Sequence, residues 1–211
     1  MVPYSYMLEP EIEAMSRGQL RELQDQRLRN VVKRCYEKMD MYREKFKKAG
    51  ISPEDIKTTD DLHKIPFTTK EDLRSRYPMQ GLLAVPPNQV LRIHMTTGTT
   101  GQPTVSPLTK DDIFREELVL AKCGSALGVG PGDIIQLMFG YGLFAGSILA
   151  QPAFEKILGA SIIPAGAAVP SSTQLDIMKD FAPTVLAATP SFFLHIIEVA
   201  KDKGIELDKL G

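Results

Sequence analysis

The sequence predicts an α/β protein: a helical, charge-rich amino-terminal segment over 1–76, then a mostly parallel sheet flanked by helices over 77–211. Three observations carry that expectation. Up to Gly50, apolar residues recur at helical spacing between charged ones. From about Tyr77 the texture changes to short apolar runs separated by Gly and Pro. Beyond Gly132 those runs alternate with helical patterns, which calls for right-handed crossovers and parallel strands covered on both faces.

The elements follow in chain order. Leu20, Leu23, Leu28, Val31, Val32, Cys35 and Met39 mark a long first helix, with Arg, Glu, Asp and Lys between them. Asp40 is placed to cap a second helix carrying Tyr42 and Phe46, which Gly50 would end. Ser52-Pro53-Glu54-Asp55, Thr59-Asp60-Asp61 and Thr69-Lys70-Glu71-Asp72 each read as a helix start, a hydroxyl followed by acids. Val90–Met95 alternates like a half-buried strand, and Thr104–Leu108 reads as a second. A helix after Thr109 carries Ile113, Phe114, Leu118 and Ala121 on its apolar positions and stops at Gly128–Gly132. Then come a strand at 134–139, a helix near 143–158, a strand at 160–163, a helix at 172–181, a strand at 184–188 and a last helix opened by Pro190.

Bulk composition excludes several classes. Lys plus Arg total 25 against 26 Asp plus Glu, so no net field recruits nucleic acid or anionic lipid. The first residues lack the basic-then-apolar layout of a secretory signal. Cys35 and Cys123 are the only cysteines and form no C-x-x-C, so they read as small apolar residues of a reducing compartment, with the cytoplasm as the expected location. The stretch 134–154 holds no charged residue and contains the GxxxG of Gly142 and Gly146. Gly140-Tyr141-Gly142 breaks it into a short strand and a helix, so buried sheet elements explain it better than a membrane span.

The chemistry concentrates in Thr96-Thr97-Gly98-Thr99-Thr100-Gly101-Gln102-Pro103-Thr104. Glycines let backbone N–H groups converge on an anion, and threonine hydroxyls add donors or oxygen ligands for a magnesium ion, with Thr99 and Thr100 the candidates. A plain hairpin turn uses the same residue types, and composition alone leaves the two readings equal. A Walker A loop would need Gly-Lys-Ser/Thr where Gly101 is followed by Gln102, and a dinucleotide fingerprint would open a helix rather than a strand. Three further loops leave strand ends: Gly140–Phe144, Pro164–Ala168 and Thr189–Phe192. Sites in such sheets lie beyond the carboxyl ends of the strands, so together these loops suggest a pocket wall, with Tyr141 and Phe144 offering flat apolar faces. His94, His63 and His195 read first as structural, and His94 is also a weak acid–base candidate.

The loop 96–104 resembles the phosphate-binding loop of the adenylate-forming enzymes, with Gln102 where lysine is frequent. A closer resemblance runs along nearly the whole chain. Leu62-His63-Lys64-Ile65-Pro66-Phe67-Thr68-Thr69-Lys70-Glu71-Asp72-Leu73-Arg74 is similar to a segment of the phenylacetate-CoA ligases, as are Tyr77-Pro78, Arg92-x-His94, Gly140–Phe144, Leu158-Gly159-Ala160, Met178-x-Asp180-Phe181-x-Pro183 and Thr189-Pro190-Ser191. It departs at Ala145-Gly146-Ser147 and at Gln151-Pro152-Ala153-Phe154-Glu155, both flanking the expected acyl pocket.

The resemblance implies an amino-terminal portion of the large domain of such an enzyme. It implies ATP, Mg2+ and coenzyme A as reactants with a small aryl carboxylate, and no nucleic acid or membrane partner; a homodimer is compatible with it. Thr96, Thr97, Gly98, Thr99, Thr100, Gly101, Gln102 and Pro103 would hold the ATP phosphates. Tyr141, Gly142 and Phe144 would line the acyl pocket. The family's adenine, ribose and magnesium contacts and its mobile lysine belong to sequence with no counterpart here, so this chain alone is expected to be inactive.

Overall fold

The computed structural model describes residues 7–98, 101–143 and 145–206. It divides into two units, Glu9–Asp111 and a second made of Met1–Leu8 with Asp112–Gly211. The change of texture at 76/77 falls inside the first unit.

In the unit Glu9–Asp111, α1 (Pro10–Glu13) precedes the long α2 (Arg17–Lys38) and α3 (Asp40–Ala49). Ser16 starts α2 with a reciprocal box: its hydroxyl accepts from the Gln19 amide, and the Gln19 side chain accepts from the Ser16 amide. Val32, Phe46 and Ile56 form the buried centre, with Leu28, Tyr36, Ile51 and Ile65 packed around it. Tyr36 meets Phe46 at 5.9 Å between ring centroids. Val31, expected on the apolar stripe, is half exposed; Tyr36, one turn beyond Val32, takes the inner position. Asp40 is the first residue of α3 rather than its cap; it pairs with Arg43, and Gly50 closes the helix at φ +68°.

The three hydroxyl-and-acid starts form as paired caps, Ser52 with Asp55, Thr58 with Asp61 and Thr69 with Asp72. Only the last opens an α-helix, α4 (Lys70–Arg74); the other two open 3-10 turns. The middle cap is Thr58 and not Thr59, because the Thr59 amide and hydroxyl both donate to Asp25 of α2, at 2.7 and 3.0 Å. Asp72 also accepts from Lys45 at 2.8 Å; that bond, then the Thr69 amide and hydroxyl, lowers its pKa to about 2. The unit ends in an antiparallel hairpin of β1 (Arg92–Met95) and β2 (Val105–Leu108), with Met95 opposite Val105 and His94 opposite Ser106.

The chain crosses into the second unit within α5 (Lys110–Ala126). A three-stranded parallel sheet follows, β3 (Ile134–Leu137) central, β4 (Ser161–Ile163) on one side and β5 (Val185–Ala187) on the other. One face packs Ile135 with Ala121 of α5 and with Ala153, Leu158 and Ala160. The other packs Met138 against α7 (Ser171–Phe181) and α8 (Pro190–Asp202), through Leu175, Met178, Ile196 and Ala200. Phe114, expected on the apolar face of α5, is 57% exposed.

Between β3 and β4 lies α6 (Gly146–Pro152), continued by a π-helical turn at Ala153–Ile157. Pro152 has no N–H to give the helix and its ring crowds the preceding turn, which accounts for the widening there. Among the described residues, no helix is long and apolar enough to cross a membrane.

The amino ends of the strands are tied by Asp133. Its carboxylate accepts from the Gly130 amide at 2.8 Å and the Thr184 hydroxyl at 2.7 Å, while its carbonyl accepts from the Ser161 amide. The Gly130 amide first, then the Thr184 hydroxyl, hold the Asp133 pKa below the ordinary value. A depressed carboxylate stabilises the fold above its unfolded pKa and loses that contribution as pH falls through the folded one. The stability difference between wild type and Asp133→Asn is therefore expected to be largest at neutral pH. It should shrink as pH drops below the ordinary aspartate value of 3.8, read as urea midpoints across a pH series.

Candidate nucleotide loop and acyl cavity

The hydroxyl-rich loop sits at the tip of the β1–β2 hairpin. Its base is pinched shut: the Thr96 amide donates to the Thr104 carbonyl at 3.0 Å, and the Thr104 amide donates to the Thr96 hydroxyl at 3.0 Å. The Gly101 amide donates to the Gly98 carbonyl at 3.0 Å, closing a tight turn. Gly98 takes φ +69°, and a Cβ there would stand 2.7 Å from the Gly101 carbonyl and 3.3 Å from the Pro103 ring. No other residue fits without opening the turn. Thr97, Gly101 and Gln102 are exposed, Pro103 is half-buried, and Thr99 and Thr100 lie outside the described residues. The Thr96 hydroxyl thus serves the base of the loop, while Thr97, Gly101 and Gln102 face solvent. His94 is buried in β1.

In the second unit, a cavity of about 360 Å³ opens beyond the carboxyl ends of β3 and β5. All three expected loops contribute: Met138, Phe139 and Gly140 after β3, Ala167 after β4, and Thr189, Ser191 and Phe192 at the start of α8. The lining is mostly apolar, with hydroxyls at one end. Thr189 caps α8 by accepting from the Phe192 amide and lies 3.3 Å from the Ser191 hydroxyl. His195, read from sequence as structural, also lines the cavity, its ring 6.4 Å from that of Phe192. Its position four residues after Ser191 on one helix was the available signal.

Tyr141 and Gly142 do not form part of that lining, and Phe144 lies outside the described residues. The Tyr141 ring lies over Gly166, where a Cβ would approach it to 3.5 Å. Its hydroxyl donates to Gln151 Oε1 at 2.9 Å, and Gln151 Nε2 donates to Glu155 Oε1 at 2.9 Å. Burial, then the Glu155 charge, raises the Tyr141 pKa and keeps it a phenol. The relay passes through Gln151 and Glu155, within the segment where the sequence departs from the family pattern.

Two fully buried glutamines brace the loop after β4. Gln136 Nε2 donates to the Gln174 carbonyl at 3.1 Å and to Gln174 Oε1 at 2.6 Å. Gln174 Nε2 donates to the Gly166 carbonyl at 2.7 Å, and the Gly166 amide donates to the Leu137 carbonyl at 2.9 Å. The pair fixes the loop that carries Ala167.

Among the described residues, no cluster of three or more His, Cys, Asp or Glu is placed to hold a metal ion. Thr99 and Thr100, the candidate oxygen ligands, fall outside those residues.

No family model matches the chain. It is 43% identical over 187 residues to the phenylacetate-coenzyme A ligase of Escherichia coli, covering 89% of this chain and 42% of that protein. It is 37% identical over 205 residues to the phenylacetate-coenzyme A ligase of Thermus thermophilus, covering 97% of this chain and 45% of that one. Among solved structures, a 2-hydroxyisobutyryl-CoA ligase in complex with 2-HIB-AMP and CoA superposes with a TM-score of 0.83 at 28% identity, over 90% of this chain and 41% of that chain. The chain spans less than half the length of the curated relatives it matches. By sequence and by fold, the chain is similar to part of the phenylacetate-coenzyme A ligases and of a further CoA ligase.

Proposed function

We propose that the chain is the phosphate- and acyl-binding part of an AMP-forming acid–thiol ligase acting on a small aryl carboxylate in the cytoplasm. A carboxylate oxygen attacks the α-phosphorus of ATP, the bond to the β-phosphate oxygen breaks, and acyl-AMP and pyrophosphate result. The thiol of coenzyme A then attacks the acyl carbon and AMP leaves. The carboxylate is already an anion, so the first step needs no general base; its difficulty is bringing two anions together. His94, buried in its strand, has no assigned step in this scheme.

The observation that carries the reading is the Gly101-to-Gly98 bond in the loop joining β1 and β2, in a chain aligned with the ligases along its length. Amides and hydroxyls of residues 96–103 would engage the β- and γ-phosphates. The cavity lined by Met138, Phe139 and Phe192 would take the ring of the acid, and the resemblance would add Tyr141, Gly142 and Phe144 to the acyl pocket. Mg2+ would accompany ATP, as the resemblance implies. A second reading keeps the same binding surfaces without turnover: a nucleotide- and acyl-binding homologue that works with a second chain.

The test is phenylacetate-dependent exchange of pyrophosphate into ATP. The chain alone is expected to give none. Supplied with the part of the E. coli ligase that it does not match, it is expected to give exchange that requires the acid. Exchange that ignores the carboxylate, or none in a formed complex, would overturn the ligase reading.

A further inference from the structure

We infer that Gln151 is a positioning residue that sets which acid the cavity takes. By holding the Tyr141 hydroxyl it keeps that ring out of the cavity, leaving room for a ring acid that carries a further apolar group, such as a second fused ring. The inference rests on the ligase reading for the class of ligand, an organic acid, and on the geometry for its size and for the residue that selects it.

One face of α6 grips the loop that leaves β3. Ser147, fully buried, donates its hydroxyl to the Phe139 carbonyl at 2.9 Å. One turn later, Gln151 Oε1 accepts from the Tyr141 hydroxyl at 2.9 Å. Residues four apart on a helix share a side, so two neighbouring side chains of α6 clamp one loop at two points. Both stand in segments where the sequence departs from the family pattern.

This clamp decides where Tyr141 goes, because little else does. The residue is 44% exposed, and its neighbours Gly140 and Gly142 bring no side chains to wedge it. A Cβ at either glycine would meet nothing within 4 Å, so the chain on both sides of Tyr141 stands in open space. One side of the ring rests near Gly166, and its hydroxyl end is tied to Gln151. Glu155 in turn fixes the Gln151 amide: a carboxylate only accepts, so Nε2 turns to Glu155 and Oε1 to the phenol.

Tyr141 stands one residue from the cavity on both loops. Phe139 and Gly140 line it after β3, and Ala167, next to Gly166, lines it after β4, whereas Tyr141 does not. A ring released from Gln151 would turn between staggered rotamers into that space. With the ring tied back, about 360 Å³ stays open beside Met138, Phe139, Ala167 and Phe192. That volume falls in the range of pockets enclosing ligands larger than a single ring, and the apolar lining rewards added apolar area.

The experiment titrates the full chain with 2-naphthylacetate and with phenylacetate, reading dissociation constants by calorimetry. The chain is expected to bind the naphthyl acid at least about fivefold more tightly, less than full burial of a second ring would give. Gln151→Ala should erase that preference. Tyr141→Phe, which removes the hydroxyl and leaves Gln151 in place, should erase it too. Gln151→Glu combined with Glu155→Gln should restore it, because a carboxylate at position 151 accepts from both the phenol and the exchanged amide. A merely structural role for Gln151 gives no such rescue. Equal affinities in the unaltered chain, binding of neither acid, a preference that survives Gln151→Ala or Tyr141→Phe, or a loss that the paired exchange does not restore would overturn the inference. Binding with the expected preference, in a chain whose formed complex gives no pyrophosphate exchange, supports the role of Gln151 and counts against the ligase reading alone.

Discussion

On the proposed ligase function, and with the chain supplied with the unmatched part of the E. coli ligase, Gly98→Val is expected to lower phenylacetate-dependent pyrophosphate exchange by about a hundredfold or more, the usual cost of losing a donor aimed at developing charge. Two features make the residue intolerant. Its φ of +69° is a conformation that β-branched residues rarely adopt, and a Cβ would meet the Gly101 carbonyl at 2.7 Å. The obstacle is backbone rather than the end of a flexible side chain, so the turn itself must open and its amides must re-aim. The hairpin below is held separately by the Thr96–Thr104 bonds, so the circular dichroism of the chain should be unchanged. Gly98→Ala should fall between, since it keeps the clash without the branched side chain. Full exchange in the valine variant would show that the loop is only a turn.

The second large effect is on stability. Gln174→Leu is expected to destabilise the sheet unit by about 2–4 kcal/mol in urea unfolding, because it strands polar groups that water cannot reach. The Gly166 carbonyl loses its donor, and Gln136 Nε2 keeps only the Gln174 carbonyl. Gln136→Leu combined with Gln174→Leu should cost less than the two single changes summed, since removing both partners leaves fewer unpaired groups in the interior. A fully additive double variant would mean that the glutamines do not act as a pair.

Much of the fold was legible because local chemistry and global packing agree. The hairpin strands, the parallel strands and the Pro190 start of α8 lie within one or two residues of their predicted places. Alternation, helical spacing and proline at a first turn are short-range signals, and nothing in the packing contradicts them. The misses come from long-range competition. Thr59 reads as a cap by its neighbours, yet Asp25, distant in sequence, claims both its donors. Gln136 is recognisable as a strand residue, but its partner lies 38 positions away.

The cavity was legible only in part. Three loops were expected to converge because each leaves a strand end, and each lends residues to one cavity. The placement of Tyr141 over Gly166 was not legible, because it depends on where β4 delivers its loop.

Leu8 packs against the cluster around Ile135, so the unit that holds the parallel sheet begins before residue 10 and resumes only after 111. On the ribosome, the Glu9–Asp111 stretch can settle as soon as it emerges, while Leu8 has no completed surface to join until β5 has been synthesised. Leu8 is thus made early and finds its place late. A bulky fusion just ahead of Leu8 should slow maturation of the sheet more than one attached within an exposed loop.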